Sequence, residues 1–364
     1  MSASQYILAI NPGSTSTRLA LFKNSQWLEL WYGANIQHST AELARFTHIS
    51  DQYQFRLQSV ESFLAHNGEP QLAAVVGRGG LLKPIPSGTY LVDEAMVADL
   101  QKGIRGEHAS NLGGLLAKGI ADSRQVPAFV VDPVSVDEFT PLARISGLPQ
   151  IPRLSLGHAL NIRAVARRVA TSMGRELIDT NFVVAHLGGG ISIAPVQGGR
   201  ILDYNDANQG GPFSPERAGS LPAGEIVKLA FSGRYTISQL GKLLNGQSGL
   251  VGYLGSNDAR AAVARAKQGD ASARLVLEAM VFQIAKEIGA MATVLWGQVD
   301  AIILTGGLAH STYLTERIAD FVSYIAPVRI VPGEYEMRAL AEGAWRVLSG
   351  QQQAASYKEA DCHA

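Results

Sequence analysis

YILAINPGSTSTRLALF, residues 6–22, consists of two apolar runs, Tyr6 to Ile10 and Leu19 to Phe22, around Asn11, Pro12, Gly13, Ser14, Thr15, Ser16 and Thr17. The pattern predicts two antiparallel strands joined by a turn rich in glycine and hydroxyl side chains. Such a turn offers backbone N–H groups and Ser/Thr donors in a small concavity, and Arg18 adds a fixed positive charge. Those are the ingredients of a phosphate cradle. An ordinary soluble hairpin is the competing reading.

A second stretch has the same form. Asn181 to Leu187, NFVVAHL, runs into Gly188, Gly189 and Gly190 and then into Ile191 to Val196; after Gly198–Gly199 a short strand, Arg200 to Asp203, follows. The first hairpin is likewise followed by an apolar segment, Trp27 to Trp31. Two copies of strand, glycine turn, strand and strand, half a chain apart, predict an internal duplication in which the turns face each other across a cleft. The glycines permit close approach to a ligand or a positive φ.

The bulk properties narrow the class. A chain of 364 residues favours two domains. Basic and acidic residues number 31 each, with no basic stripe, so nucleic acid is not expected as a partner. The one cysteine, Cys362, rules out an intrachain disulfide and thiolate-bound metal. With no signal peptide and no apolar run near the ~20 residues of a membrane span, a cytoplasmic protein is expected.

Further along, residues 39–66 have the spacing of one or two surface helices. Leu72 to Val76 is a buried strand delivering Gly77, Arg78, Gly79 and Gly80. Arg78 is thereby exposed to whatever lies above the sheet, or is a loop arginine with no such role. Gly103 to Glu107 is a hinge or ligand loop between two helical patterns. Val126 to Val131 ends in Asp132, a functional carboxylate or a helix cap. Residues 140–153 read as a crossing between domains, and Ser155 caps a helix carrying His158 in its first turn. The Gly- and Pro-rich stretch 206–222 contains Glu216 and Arg217 and is long for an idle connection. Ala271 to Trp296, apolar on more than one face, is central to its domain or part of a subunit contact. Val299 to Leu304 opens into Thr305, Gly306 and Gly307, and residues 351–364 form a polar, disordered tail. Walker, GxGxxG and HExxH motifs are absent. Asn11, Arg18, Arg78, Asp132, His158, His186, Arg217 and Glu336 are the candidate functional residues.

The segments INPGSTSTRLALF, VVGRGGLLKPIPSGTY, VVDPVSVDEFTPLARISGLPQIPR, HLGGGISI, GPFSPERAGSLP, ILTGGLAHS and VPGEYEMRALAEGA resemble the butyrate kinase branch of the acetate kinase family, over about Tyr6 to Gly350. The resemblance implies an α/β fold of two ribonuclease-H-like, actin-like ATPase domains, residues 1–152 plus 334–364 and residues 153–333, around a nucleotide cleft. It implies ATP/ADP and Mg²⁺ as cofactors, a short-chain carboxylate and its acyl phosphate as substrate and product, and a homodimer or larger homo-oligomer. Phosphate contacts would come from Asn11 to Thr17 and from His186 to Gly190, with Gly306 and Gly307 against the adenosine. Arg78 and Arg217 would grip the carboxylate and the transferring phosphoryl group, His186 would donate to that group, and His158 would support it. Asn11, Asp132 and Glu336 would hold Mg²⁺ through water or orient the arginines.

Two departures from the acetate enzymes follow. Gly79 and Gly80 replace a bulky pair after the first arginine, which implies room for a longer acyl tail. After Arg217 an acidic run is replaced by Ala218 to Pro222. An acetate or propionate kinase is the nearest alternative. A hydroxyl-directed phosphotransferase on the same fold would need Asp132 as a base, and an ATP-gated binding module would need a client-binding segment.

Overall fold

The computed structural model describes residues 5–24 and 28–360. Trp27 and Cys362 lie outside these. The chain divides into two compact units, Met1–Glu138 with Tyr335–Ala364, and Phe139–Glu334. Residues 139–152 thus belong to the second unit.

The first unit contains β1 (Gln5–Pro12), β2 (Ser16–Asn24), β3 (Glu29–Gln37), β4 (Leu72–Gly77), β5 (Thr89–Leu91) and β6 (Ala128–Val131), in the sheet order β3-β2-β1-β4-β6-β5. β1, β2 and β3 form an antiparallel meander, β4 runs parallel to β1, and β6 runs parallel to β4. The second unit contains β7 (Asn181–Leu187), β8 (Ile191–Gln197), β9 (Arg200–Ile201), β10 (Ala301–Gly306) and β11 (Val328–Pro332), in the order β11-β10-β7-β8-β9. Again three antiparallel strands are followed by two parallel ones. The orders 3-2-1-4-6 and 9-8-7-10-11 superimpose strand for strand, so the duplication expected from the two glycine turns is present. β5 is the first unit's addition.

Period-two alternation places Leu8, Ile10, Leu19 and Leu21 in the first unit's core with Leu112, Leu116 and Ile120 of the helix Asn111–Arg124. The helix Glu336–Leu348 also packs on this sheet, with Gly343 tight against Val131. β1 and β4 are parallel neighbours and end at the same edge of the sheet. Asn11, Arg78 and the first residue of that helix, Glu336, therefore meet at one place. In the second unit the helix Ala271–Val294, capped by Asp270 accepting from the Ala273 amide, buries Val276, Leu277, Met280, Ile284 and Ile288 against β7, β8 and β10. It is central to its unit, and Met291 near its C-terminal end is 5 % exposed in the same core.

Several sequence expectations need correction. The strand after the first hairpin is Glu29–Gln37, displaced towards the C-terminus. The helix expected from Ser155 begins at Ala159 with His158 at its N-cap, because Gly157 lies against the Tyr204 ring and Ser155 Oγ donates to Tyr204 Oη. Residues 39–66 are not merely surface helices, since the helix Tyr53–His66 buries Arg56, Val60, Phe63 and Leu64. The described part of the tail, residues 351–360, packs on the first unit. Ala355 pairs with Tyr90 beside β5, and Tyr357 is buried with its hydroxyl donating to Asp99 at 2.7 Å. Backbone pairing along an exposed sheet edge and one buried ring hold this segment, a gain that its polar composition conceals.

Candidate active site

In the first unit, Asn11 closes β1 and stands opposite Arg18 on β2. The turn between them is tight, with the Gly13 amide donating to Ser16 O at 2.7 Å, and the Ser14 and Thr15 side chains face solvent. Asn11 Nδ2 donates to Glu336 Oε2 at 2.8 Å, and Arg78 Nη1 donates to Glu336 Oε1. One carboxylate thus ties the end of β1 to the arginine after β4. Both members of the Arg78–Glu336 pair are buried, and Arg78 Nε is buried with no hydrogen-bond partner. A guanidinium N–H held without an acceptor in an apolar setting is a donor ready for an anion.

Asp132 lies beside this cluster, since its neighbour Pro133 packs on Gly79. Its Oδ1 accepts from the Gly88 amide at 2.8 Å, and its φ of 38° is a conformation unusual for a non-glycine residue. The open space expected at Gly79 and Gly80 is not there. A Cβ on Gly79 would overlap Val130 and Pro133, and one on Gly80 would overlap Asn111. These glycines serve close packing around Arg78, so they create no room for an acyl chain.

Two residues here escaped the sequence reading. His108 lies near Arg78, whose charge adds to burial in lowering the imidazole pKa. Its Nδ1 accepts from the Ser110 amide at 3.2 Å, which leaves the proton on Nε2. The histidine one step beyond the Gly103 to Glu107 loop was the available signal. Arg56 gave none: a single arginine in a helical pattern reads as solvated.

In the second unit, His186 sits at the end of β7, in register with Thr305 of β10. Asn161 Nδ2 donates to His186 Nδ1 at 2.9 Å, which puts the His186 proton on Nε2. Asn161 is buried, comes from the helix Ala159–Ser172, and was not singled out by sequence; its position one turn after His158 is the only hint. The His158 and His186 rings stack with centroids 4.0 Å apart and planes 15° apart, and His158 Nδ1 lies 3.1 Å from Ser192 Oγ.

The stretch 206–222 folds back onto the β7–β8 turn. Ser214 Oγ donates to Gly189 O, and Arg217 pairs in a β-bridge with Asn245. The Arg217 guanidinium lies on Gly190 so closely that a Cβ there would be 2.7 Å from its Cζ, while Glu216 Oε1 occupies the corresponding space at Gly189. Gly188, Gly189 and Gly190 all keep negative or extended φ, so close approach is what glycine supplies here. Burial lowers the Arg217 pKa, and the charges of Glu216 and Asp206 oppose that shift. Gly306, with φ 89°, fits tightly against Leu187 O, whereas Gly307 has open space where a side chain would be.

Among the described residues no group of three or more His, Cys, Asp or Glu could hold a metal. Both Glu336 oxygens accept from side-chain donors, one of them cationic. The donor set therefore suits a Mg²⁺ that arrives on phosphate oxygens with its waters better than one bound directly by protein carboxylates.

Residues 157–323 match the Acetokinase family. The chain is 50 % identical over 348 residues to "Probable butyrate kinase 2" of Caldanaerobacter subterraneus subsp. tengcongensis, covering 95 % of this chain and 98 % of that one. It is 49 % identical over 355 residues to "Butyrate kinase 2" of Clostridium acetobutylicum, covering 97 % and 99 %. The chain belongs to the acetokinase family, alongside the butyrate kinases. The fold agrees with that family. Porphyromonas gingivalis acetate kinase superimposes with a TM-score of 0.75 over 93 % of this chain and 99 % of its own, at 19 % identity. Among the described residues no helix is long and apolar enough to cross a membrane.

Proposed function

We propose that this chain is a butyrate kinase that moves the γ-phosphoryl group of ATP reversibly to the carboxylate of butyrate or a similar short- or branched-chain acid, giving ADP and an acyl phosphate. The observation that supports the chemistry most directly is the Arg78–Glu336–Asn11 cluster with its buried, unpartnered Arg78 Nε. A carboxylic acid of pKa ~4–5 is already ionised at pH 7. Its oxygen attacks the γ-phosphorus, the bond to the ADP oxygen breaks in line, and no proton has to move. The barrier is repulsion between two anions, which fixed cations and donors offset.

Arg78 supplies one such cation, oriented by Glu336; Arg217 supplies another, seated on Gly190; His186 donates from Nε2 to the phosphoryl oxygens and is kept in that tautomer by Asn161. His158 braces the His186 ring. Within the first unit Asn11, the Gly13 to Ser16 turn and Arg18 are donors for phosphate oxygens; within the second unit the Gly188 to Gly190 turn has the same role. Gly307, with Gly306 as its hinge, receives the adenosine. Asn11 and Glu336 would hold Mg²⁺ through water, and the ion would supply shielding of the phosphate charge. Asp132 orients the loops at Gly79 and Gly88. The acid is assigned from the relatives, since the surroundings of Gly79 and Gly80 are filled.

The test is turnover with ATP and acetate, propionate, butyrate or isobutyrate, trapping acyl phosphate as the hydroxamate. Butyrate-sized acids should give the highest kcat/KM, and no hydroxamate from any acid would sink the reading. The Asp132→Asn variant keeps the acceptor for Gly88 and should stay within about tenfold of the parent kcat. A loss of about a thousandfold or more is the mark of a missing general base and would favour a hydroxyl kinase.

ATP as donor places the reaction in the cytoplasm. Self-association as a homodimer or larger assembly belongs to the same proposal. On the helix Ala271–Val294 the exposed apolar residues are Leu275 and Phe282. Light scattering should show a smaller particle on introducing charge there; an unchanged assembly would exclude this face.

A further inference from the structure

The β1–β2 turn rests on a buried guanidinium. Arg56 has 0 % relative exposure. Its Nη1 donates to Ser16 O at 2.9 Å and to Thr17 Oγ1 at 3.0 Å, its Nη2 to Ser14 O at 3.4 Å, and its Nε to Gln52 Oε1 at 3.0 Å. Every one of these acceptors is neutral, and among the described residues Arg56 has no carboxylate partner. Burial pushes its pKa down to about 10, which leaves it charged at pH 7. The Thr17 hydroxyl accepts from Arg56 and lies 2.9 Å from His38 Nε2; burial and the Arg56 charge both hold the His38 pKa down, so the hydroxyl proton goes to a neutral ring.

Geometry links this group to the face of the turn that solvent reaches. In a planar trans peptide the C=O of one residue and the N–H of the next point in opposite directions. With Ser14 C=O aimed inward at Arg56, the Thr15 N–H is aimed outward, on the side where Ser14 and Thr15 are exposed. A buried cation without a counter-ion costs stability, and its field is weakly screened in the low-dielectric interior. An anion on the outer face would restore the charge balance.

We infer that Arg56 is a positioning residue for polyphosphate: it fixes the Ser14–Thr17 turn with an amide outward and supplies, from behind, the positive charge that an anionic phosphate chain on the turn would balance. The inference rests on reading this turn as a phosphate cradle.

It is tested on the full chain with ADP as probe, by calorimetric titration, alongside KM for ATP and for butyrate. Hydrogen bonds to charged groups contribute enough that losing the fork in Arg56→Lys should weaken ADP about tenfold, and losing the charge as well in Arg56→Gln about a hundredfold. KM for butyrate should stay within about twofold. A purely structural arginine would lower the unfolding midpoint of the apo protein and leave ADP affinity of the folded protein unchanged, which overturns the inference. Should Arg56→Gln not fold, Arg56→Lys decides alone, and parent-like ADP affinity in it is the negative result. Thr15→Glu, at an exposed position, separates the two layers of the argument. If it leaves ADP binding intact, the cradle reading fails; if it weakens ADP while the Arg56 variants bind normally, only the role of Arg56 fails.

Discussion

Arg78→Ala lowers kcat about a thousandfold and also destabilises the fold, and the two losses can be pulled apart. The catalytic loss follows from removing a cation aimed at developing phosphoryl charge, a class of donor worth about 10²–10³ in rate, and more for arginines. The stability loss follows from Glu336, 8 % exposed, which loses the guanidinium that faces its carboxylate. Breaking a buried ion pair by deleting one member costs about 3–5 kcal/mol. Adding Glu336→Gln to Arg78→Ala removes the carboxylate charge that the guanidinium had faced. The double variant should therefore recover much of the stability in urea unfolding and none of the kcat. If activity returns together with stability, Arg78 is a structural residue and the proposed chemistry loses its strongest support.

Arg217→Ala should cost about as much in kcat, with a smaller effect on folding. Its side chain is only partly buried, and the neighbouring Glu216 has its own contact with Asn257. The position of the guanidinium is tested separately through Gly190. A Cβ there collides with the far end of a flexible arginine, which can swing aside while the β7–β8 turn keeps its shape. Gly190→Ala should therefore fold normally and lose about ten- to a hundredfold in kcat. It should lose nothing further in the Arg217→Ala background, because both changes act on one group. Additive losses in the double variant would mean that Gly190 acts independently, through direct approach to the ligand.

Residues that act through short-range pattern were visible beforehand. The apolar runs around Asn11 and around Gly188 specified two hairpins, and their repetition predicted the duplicated sheet seen in the two units. Arg78, His186 and Arg217 stand where strands or glycine stretches end, and a cation or imidazole there already reads as functional. The error at Gly79 and Gly80 came from treating a missing side chain as empty space. Packing density in folded chains is high enough that the space is usually claimed by a neighbour, here Val130, Pro133 and Asn111.

What the linear order of residues determined by itself is the periodic and local part: strand and turn positions, the duplication, the family resemblance and the arginines and histidines proposed to carry charge chemistry. Only the tertiary structure decided which of these are partners. Glu336 is 258 residues from Arg78 and reaches it because β1 and β4 end together beneath a helix from the far end of the chain. Asn161 sets the His186 tautomer across 25 residues, and Arg56 reaches the β1–β2 turn across 40. Hydrogen bonds act over about 3 Å of space without regard to sequence separation, so side chains that look solvated on their own helices become the groups that hold a site in place.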